Sequence, residues 1–440
     1  MKARSRHSRR NPSSVVPEVT EQFTGKVQTQ YGGAGLLRRF VQKLGLPALL
    51  APFGDAGSAL PKYLLGVLCG LLLGRQRQCE IADLRHDPAA LLALGLEQMP
   101  SQPALSRFFA GGTRGLSEKL LGLNTQLVRK LRAGRVGATI DLDGQVVVAR
   151  GNPGGASFGY NPKRKGAKSY FILMGFWGEV RDIVSAQLFG GHRATVSADM
   201  AQQAYRQSRQ ALPASVWHVK LRADSAFYSH AFLSALERDQ VTYALAAPML
   251  APFKTAVVGL EYQVLDDKWA IAEFPYRGQD WKAPRRLVVV REKLEPQNPR
   301  GQQLTLFQCD GYAYQVIVTN ATWRPIYVWH FYNHRSCLEN IIKESQSDFG
   351  INHVISKRVG GNATWLALSV LAYNVTNWFR EQVLQQRAHR HMAHWLRHHL
   401  INLPATLVRG GRRYYLKLWR GHPDRELFER ALTKLEALRL

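Results

Sequence analysis

The 440-residue sequence predicts an α/β fold in which a mixed sheet occupies the middle of the chain and helical regions flank it. Three observations lead there. Apolar residues recur at helical spacing from Gly35 to about Leu131. The period changes to alternation at Val136. From Val328 to Leu384 the text is strongly helical again.

Residues 1–30 are polar and lack periodicity, and MKARSRHSRR reads as the start of a disordered basic arm. Residues 31–135 form a helical region. Within it LLRRFVQKLGL has an apolar face, and KYLLGVLCGLLLG reads as a buried helix. In DPAALLALGLEQMPSQPALSRFF, Asp87-Pro88 caps and opens one helix and Gly95 ends it. Ser101 caps a second helix whose Gln102, Ser106 and Arg107 are expected DNA contacts, in a region, 31–135, expected to bind DNA. Helix, short turn and helix is the outline of a helix-turn-helix, and equally of an ordinary helical hairpin.

Residues 136–249 follow as VGATIDLDGQVVVARG, SYFILMGFWG and VRDIVSAQLFGG, three strands joined as an antiparallel meander. A helix over 195–212, a strand in WHVKLRADSAF, a helix in SHAFLSALERDQ and a strand in VTYALAA complete the order β-β-β-α-β-α-β. That is the order of the ribonuclease-H-like fold, few α/β layouts beginning with a three-strand meander. Residues 250–320 hold short alternating aromatic stretches (YQVL, WAIAEFPY, RRLVVV, AYQVIVTN) and read as an inserted β-rich domain. Residues 321–385 return helices to the core, and 386–440 form a basic C-terminal region containing LVRGGRRYYLKLWRG.

Composition narrows the function. The chain is 45% hydrophobic and 21% charged, which is globular and not disordered. It has 59 Lys and Arg against 32 Asp and Glu, a net charge of +27, so its first expected partner is nucleic acid. Its four cysteines make no CxxC pair, which argues against a zinc ribbon or a disulfide framework and for a reducing cytoplasm. The apolar run from Tyr63 to Gly74 is too short to span a bilayer, and no membrane partner is expected. GNPGGASFG lacks GK[ST], so no nucleotide cofactor is expected. Ser225 has no GxSxG context. The HRHMAHWLRHH segment, His389 to His399, reads as a basic helix face near nucleic acid in preference to a transition-metal site.

The carboxylates carry the chemistry. Asp141 and Asp143 project from one face of the first strand, against β propensity. They are either a solvated acidic face or ligands of a cation. Asp224 ends the fourth strand, which is adjacent to the first in this topology, and could also merely cap the next helix. In YNHRSCLENIIKES, Tyr332, Arg335, Glu339 and Lys343 share one helix face, either as a surface salt-bridge stripe or as the source of a third acid. Three converging carboxylates suit two divalent cations, Mg²⁺ or Mn²⁺, and in-line displacement at phosphorus.

These residues resemble a known family. ATIDLDGQVV, FGYNPKRKGAKSY, VKLRADSAF, VWHFYNHRSCLENIIKES, GNATWLALSVLAYNVTNWFR and NLPATLVRGGRRYYLKL, in this order, resemble the DDE-type transposases of bacterial insertion sequences. Within these the chain is most similar to the group-1 DDE-domain branch, with its Tyr-x2-Arg-x3-Glu-x6-Lys signature. The resemblance spans roughly residues 35–430. It implies Asp143, Asp224 and Glu339 as catalytic metal ligands, with Asp141 as the alternative first acid. It implies Tyr332 and Arg335 as phosphate contacts. Where the signature has Lys the chain has Gln346, so either Lys343 binds that phosphate or no lysine does. Lys163, Arg164, Lys165, Arg412 and Arg413 are further expected DNA contacts. The implied activity is cleavage at the element's terminal inverted repeats and joining of the 3′ hydroxyl to target DNA. The protein would act as a homodimer on double-stranded DNA, in a bacterial cytoplasm and at the nucleoid. A sequence-specific DNA-binding protein with an inactive core and a metal-dependent nuclease are the competing readings.

Overall fold

The computed structural model describes residues 22–55, 57–111, 115–193, 196–294, 307–384 and 391–440. The short strand β1 (Gln28–Thr29) precedes seven helices: α1 (Ala34–Lys43), α2 (Leu46–Leu50), α3 (Leu60–Leu72), α4 (Gln78–Asp83), α5 (Pro88–Leu94), α6 (Gln102–Ala110) and α7 (Leu116–Leu131). The expected caps form. Asp87 accepts from the Ala90 amide at 2.8 Å, Gly95 ends α5 in the left-handed region, and Ser101 accepts from the Ala104 amide at 3.4 Å.

Next come β2 (Gly137–Val148), β3 (Ser169–Trp177), β4 (Asp182–Gly190), α8 (Ala198–Ala211), β5 (His218–Ala223), α9 (His230–Arg238) and β6 (Thr242–Ala246). β2, β3 and β4 pair antiparallel, while β5 runs parallel to β2, and β6 to β5. The spatial order β4-β3-β2-β5-β6 is the ribonuclease-H-like arrangement.

Residues 250–320 supply α10 (Ala251–Val258), β7 (Gln263–Val264), β8 (Trp269–Tyr276), β9 (Arg285–Lys293), β10 (Phe307–Cys309) and β11 (Tyr312–Thr319). These strands do not stand apart. β11 pairs antiparallel with β6, and β9, β8 and β7 follow, so the core sheet continues to ten strands and the β6 edge is covered. Alternation sorts the two faces. Leu287 and Val289 join the main core, whereas Val288 and Val290 join a smaller cluster on the opposite face with Ile317, Val328 and Tyr332. Both faces are covered, which is why RRLVVV reads as one apolar run.

The chain closes with α11 (Pro325–Asn333), α12 (Ser336–Phe349), α13 (Val359–Val383), α14 (Ala393–Leu396), β12 (Ala405–Gly410), β13 (Arg413–Leu418) and α15 (Arg425–Ala437). α13 is buried along most of its length, and the main core runs without a break from the N-terminal helices through the sheet to α15. Buried ion pairs fix it. Arg132 at the end of α7 meets Asp182 of β4 at 2.8 Å, and Arg380 of α13 meets Glu344 of α12 at 2.5 Å.

Two expectations need correction. Residues 1–21 lie outside the described residues, but the last part of the segment read as an arm is ordered: β1 pairs with β12 in a three-stranded sheet β1-β12-β13. The histidine-rich segment is also not simply a basic face. Arg397 is buried, bonds Asp348 at 2.8 Å and donates to the Leu71 and Leu72 carbonyls at the end of α3. His399 meets Asp424 at 3.0 Å, and Trp395 stacks on His391. His389 lies outside the described residues. Among the described residues no helix is long and apolar enough to cross a membrane.

Candidate active site

Ile140 and Leu142 of β2 face the main core, so Asp141, Asp143 and Gln145 project from the other side of the sheet. The two aspartates meet different fates there. Asp141 lies opposite Arg222 in the parallel β2–β5 register and is gripped by both ends of its guanidinium, at 2.7 and 2.8 Å. Arg222 spends its remaining nitrogen on the Phe331 carbonyl at 2.9 Å. Asp141 is thus buried and committed to Arg222, and burial pushes its carboxyl up while Arg222 opposes the rise.

Asp143, one pleat further, is only partly covered and accepts from Arg335 Nη2 at 2.6 Å. The same nitrogen donates to the Leu142 carbonyl at 3.3 Å and stands 4.0 Å from Asp224 Oδ2. Asp224 follows β5 directly and caps a short turn by accepting from the Ala226 amide at 3.0 Å. The structure therefore brings Asp143 and Asp224 to one guanidinium. Burial pushes the Asp143 carboxyl up to about 6; Arg335 opposes the rise and Asp224 adds to it. Gly144 is required by space: a Cβ there would come within 2.4 Å of the Phe171 ring.

The third acid stands apart. Glu339 lies on α12, one turn beyond Arg335, and is exposed. Among the described residues no three His, Cys, Asp or Glu side chains lie close enough together to hold a metal ion. Further along α12, Gln346 donates to Gln145 at 2.5 Å, two residues beyond Asp143 on the same strand face. Gln346 thus packs on the acid-bearing strand, whereas Lys343 is exposed.

The remaining expected contacts are dispersed. Tyr332 is buried in the cluster beneath α11 and helps seat that helix ahead of Arg335. Lys163, Arg164 and Lys165 are exposed in the β2–β3 loop, which Asn161 braces by accepting from the Arg164 amide at 3.1 Å. Gln102, Ser106 and Arg107 are exposed on α6, whose opposite face buries Leu105 and Phe109. Arg412 and Arg413 are exposed at the β12–β13 turn.

The family model described as transposase DDE domain group 1 matches residues 12–440. The chain belongs to that family. No match was found among curated proteins. Among solved structures, the chain is similar to a piggyBac transposase synaptic complex with hairpin DNA, at 10% identity and a TM-score of 0.46, covering 83% of this chain and 80% of the other. It is also similar to a Mos1 transposase paired-end complex with the left transposon end, at 14% identity and a TM-score of 0.18, covering 51% and 62%.

DDE transposases are generally divalent-metal dependent, and one feature of this transposase suits such ions. Asp143 and Asp224 are hard oxygen donors that share one cationic partner. Beside them, the buried Arg335 Nε has no acceptor among the described residues, a donor of the kind a phosphate oxygen would satisfy. Sequence reasoning missed Arg222, Gln145 and the contact of Gln346. A signal existed for the first. Arg222 and Asp224 alternate as Asp141 and Asp143 do, so pairing the strands in parallel sets Arg222 against Asp141.

Proposed function

We propose that this transposase binds the terminal inverted repeats of an insertion sequence, cleaves DNA at the element's ends and joins the freed 3′ hydroxyl to target DNA. The observation that carries the reading is the meeting of Asp143 and Asp224 at Arg335, from the two adjacent strands β2 and β5. Asp143 is the first acid in this reading, because Asp141 is committed to Arg222. Two divalent cations, Mg²⁺ or Mn²⁺, held by Asp143, Asp224 and Glu339 would supply activation of the attacking hydroxyl and stabilisation of the departing 3′ oxygen. The chain's own residues do the rest. Arg335 offers donors to the scissile strand's phosphates, with Lys343 on the same helix face. Gln346 holds Gln145, and through it the strand that carries Asp143. Lys163, Arg164 and Lys165 extend the phosphate contacts on the β2–β3 loop. Two ends must be brought together, which calls for a homodimer on DNA.

The test uses the DNA that flanks the gene. Gel shifts should show preference for its terminal repeats over scrambled duplex, and cleavage should require Mg²⁺ or Mn²⁺. Metal-dependent cleavage without end preference would favour a nuclease. End preference without cleavage by the wild type would favour a binding protein with an inactive core.

A further inference from the structure

The β12–β13 ribbon projects from the small sheet β1-β12-β13. Its base is fixed: Ala405 is buried, Leu416 packs on the main core, and β1 hydrogen-bonds along the outer edge of β12. Thr29 of β1 donates to Asp87 at 2.6 Å, the same carboxylate that caps α5, so the small sheet is tied to the N-terminal helices. Beyond that base the ribbon runs into solvent. Gly410 pairs with Arg413, leaving Gly411 and Arg412 as a two-residue turn. Gly411 has φ +61°, which the first position of a type II′ turn demands and a side chain would resist.

What the ribbon carries is cationic and aromatic. Arg409, Arg412, Arg413, Lys417 and Arg420 are all exposed, and among the described residues none has an acidic partner. The sequence has no Asp or Glu from Gln382 to Pro423. Other arginines of this chain, such as Arg132, Arg222 and Arg380, are matched to carboxylates. Tyr414, Tyr415 and Trp419 are 55%, 49% and 67% exposed, an uncompensated apolar cost unless something covers them. Lys417 and Trp419 line a concavity of about 670 Å³ with Gln28, Thr406 and the Asp87 cap.

We infer that the β12–β13 ribbon is an arm that docks on duplex DNA, separate from the acid site, with Arg409, Arg412 and Arg413 at its tip on phosphates. Unneutralised cations on a rigid support select a polyanion, and a two-stranded ribbon is narrow enough for a major groove about 12 Å wide. Tyr414 and Tyr415, behind the tip, cover sugar and groove wall. The identity of the polyanion rests on the transposase reading; the arm itself does not.

The experiment measures fluorescence anisotropy of the full chain on a labelled duplex of about 40 base pairs and on one strand of it, across a salt series. The Arg412→Gln/Arg413→Gln protein should bind duplex more weakly. Its slope of log affinity against log salt should be shallower by about one for each phosphate it no longer neutralises. Lys119→Gln/Lys130→Gln, which removes two exposed cations from α7, should change binding much less. Tyr414→Ala and Tyr415→Ala should weaken duplex binding without altering the slope. Melting curves of the tip variants should match wild type. An unchanged slope and affinity in Arg412→Gln/Arg413→Gln overturns the arm, as does an equal loss in the α7 variant. Tighter binding of the single strand, abolished on removing the tyrosines, overturns the duplex assignment. If the ribbon variants bind normally while wild type still cleaves its ends, only the arm fails. If they lose binding but wild type never cleaves, only the transposase reading fails.

Discussion

Asp141 and Asp143 stand two residues apart on one strand face, yet their surroundings give them opposite properties. Asp141 is sealed with Arg222, so Asp141→Asn leaves a buried guanidinium short of its partner. It should cost on the order of 3–5 kcal/mol in urea unfolding. Asp143→Asn should cost far less and should abolish strand cleavage while DNA binding persists, as should Asp224→Asn and Glu339→Gln. If Asp141→Asn folds normally and alone loses cleavage, the choice within the pair is wrong. The raised Asp143 value adds a pH dependence. Its folded-state carboxyl titrates near 6 instead of 3.8, so across that window the folded protein binds more protons than the unfolded chain. Stability contributed by this group therefore falls as pH rises. Metal-free wild type, measured against Asp143→Asn, should lose melting temperature between about pH 4 and pH 6. A difference that stays flat would mean that Asp143 ionises normally. Divalent cations compete with that proton, so metal affinity read by calorimetry should rise over the same range.

Elements were legible where the signal was local. The caps Asp87 and Ser101, the Gly95 stop and the three-strand meander follow from residue chemistry, and the structure forms each one. Pairings between distant segments were not legible in this way. Nothing in Gln28–Thr29 itself announces a strand, because its partner lies in β12, and Arg397 looks like any surface cation until the ends of α3 and α12 close around it. Arg397→Met should accordingly destabilise by about 3–5 kcal/mol in chemical denaturation, the cost of stranding Asp348. A loss within about 0.5 kcal/mol would place Arg397 at the surface. On α6, Leu105 and Phe109 are buried and Gln102, Ser106 and Arg107 lie on the exposed face, and we propose that this face reads the terminal repeats. Arg107→Ala should weaken binding to terminal repeats by ~1–3 kcal/mol and to scrambled DNA much less. Equal losses on both would make it a plain phosphate contact.

At the scale of the whole molecule, one core joins the N-terminal helices, the ten-stranded sheet and α15, so the acids, α6 and the β12–β13 ribbon are carried on a single support. The order of the first five core strands followed from the element order, and the assignment of Asp143 and Asp224 from the resemblance, whereas the joining of β7–β11 to the same sheet did not. The way Arg335 holds those acids, and the exposure of Glu339, depend on how α12 is laid across β2, which no local pattern encodes. The net charge of +27 makes a further claim. DNA affinity should fall by on the order of 10³–10⁵ between about 50 and 200 mM NaCl if 6–10 phosphates are contacted, and a flat response would mean the charge serves something else. The most direct test of the central claim maps the chemistry itself. Purified protein is incubated with Mg²⁺, a plasmid carrying the flanking DNA and a labelled target, and the product junctions are sequenced. The account predicts strand breaks at the element boundary that expose 3′ hydroxyls, those ends joined covalently to target, and neither product in EDTA or with Asp224→Asn. Breaks scattered along the plasmid, or joining that survives in the Asp224→Asn protein, would contradict it.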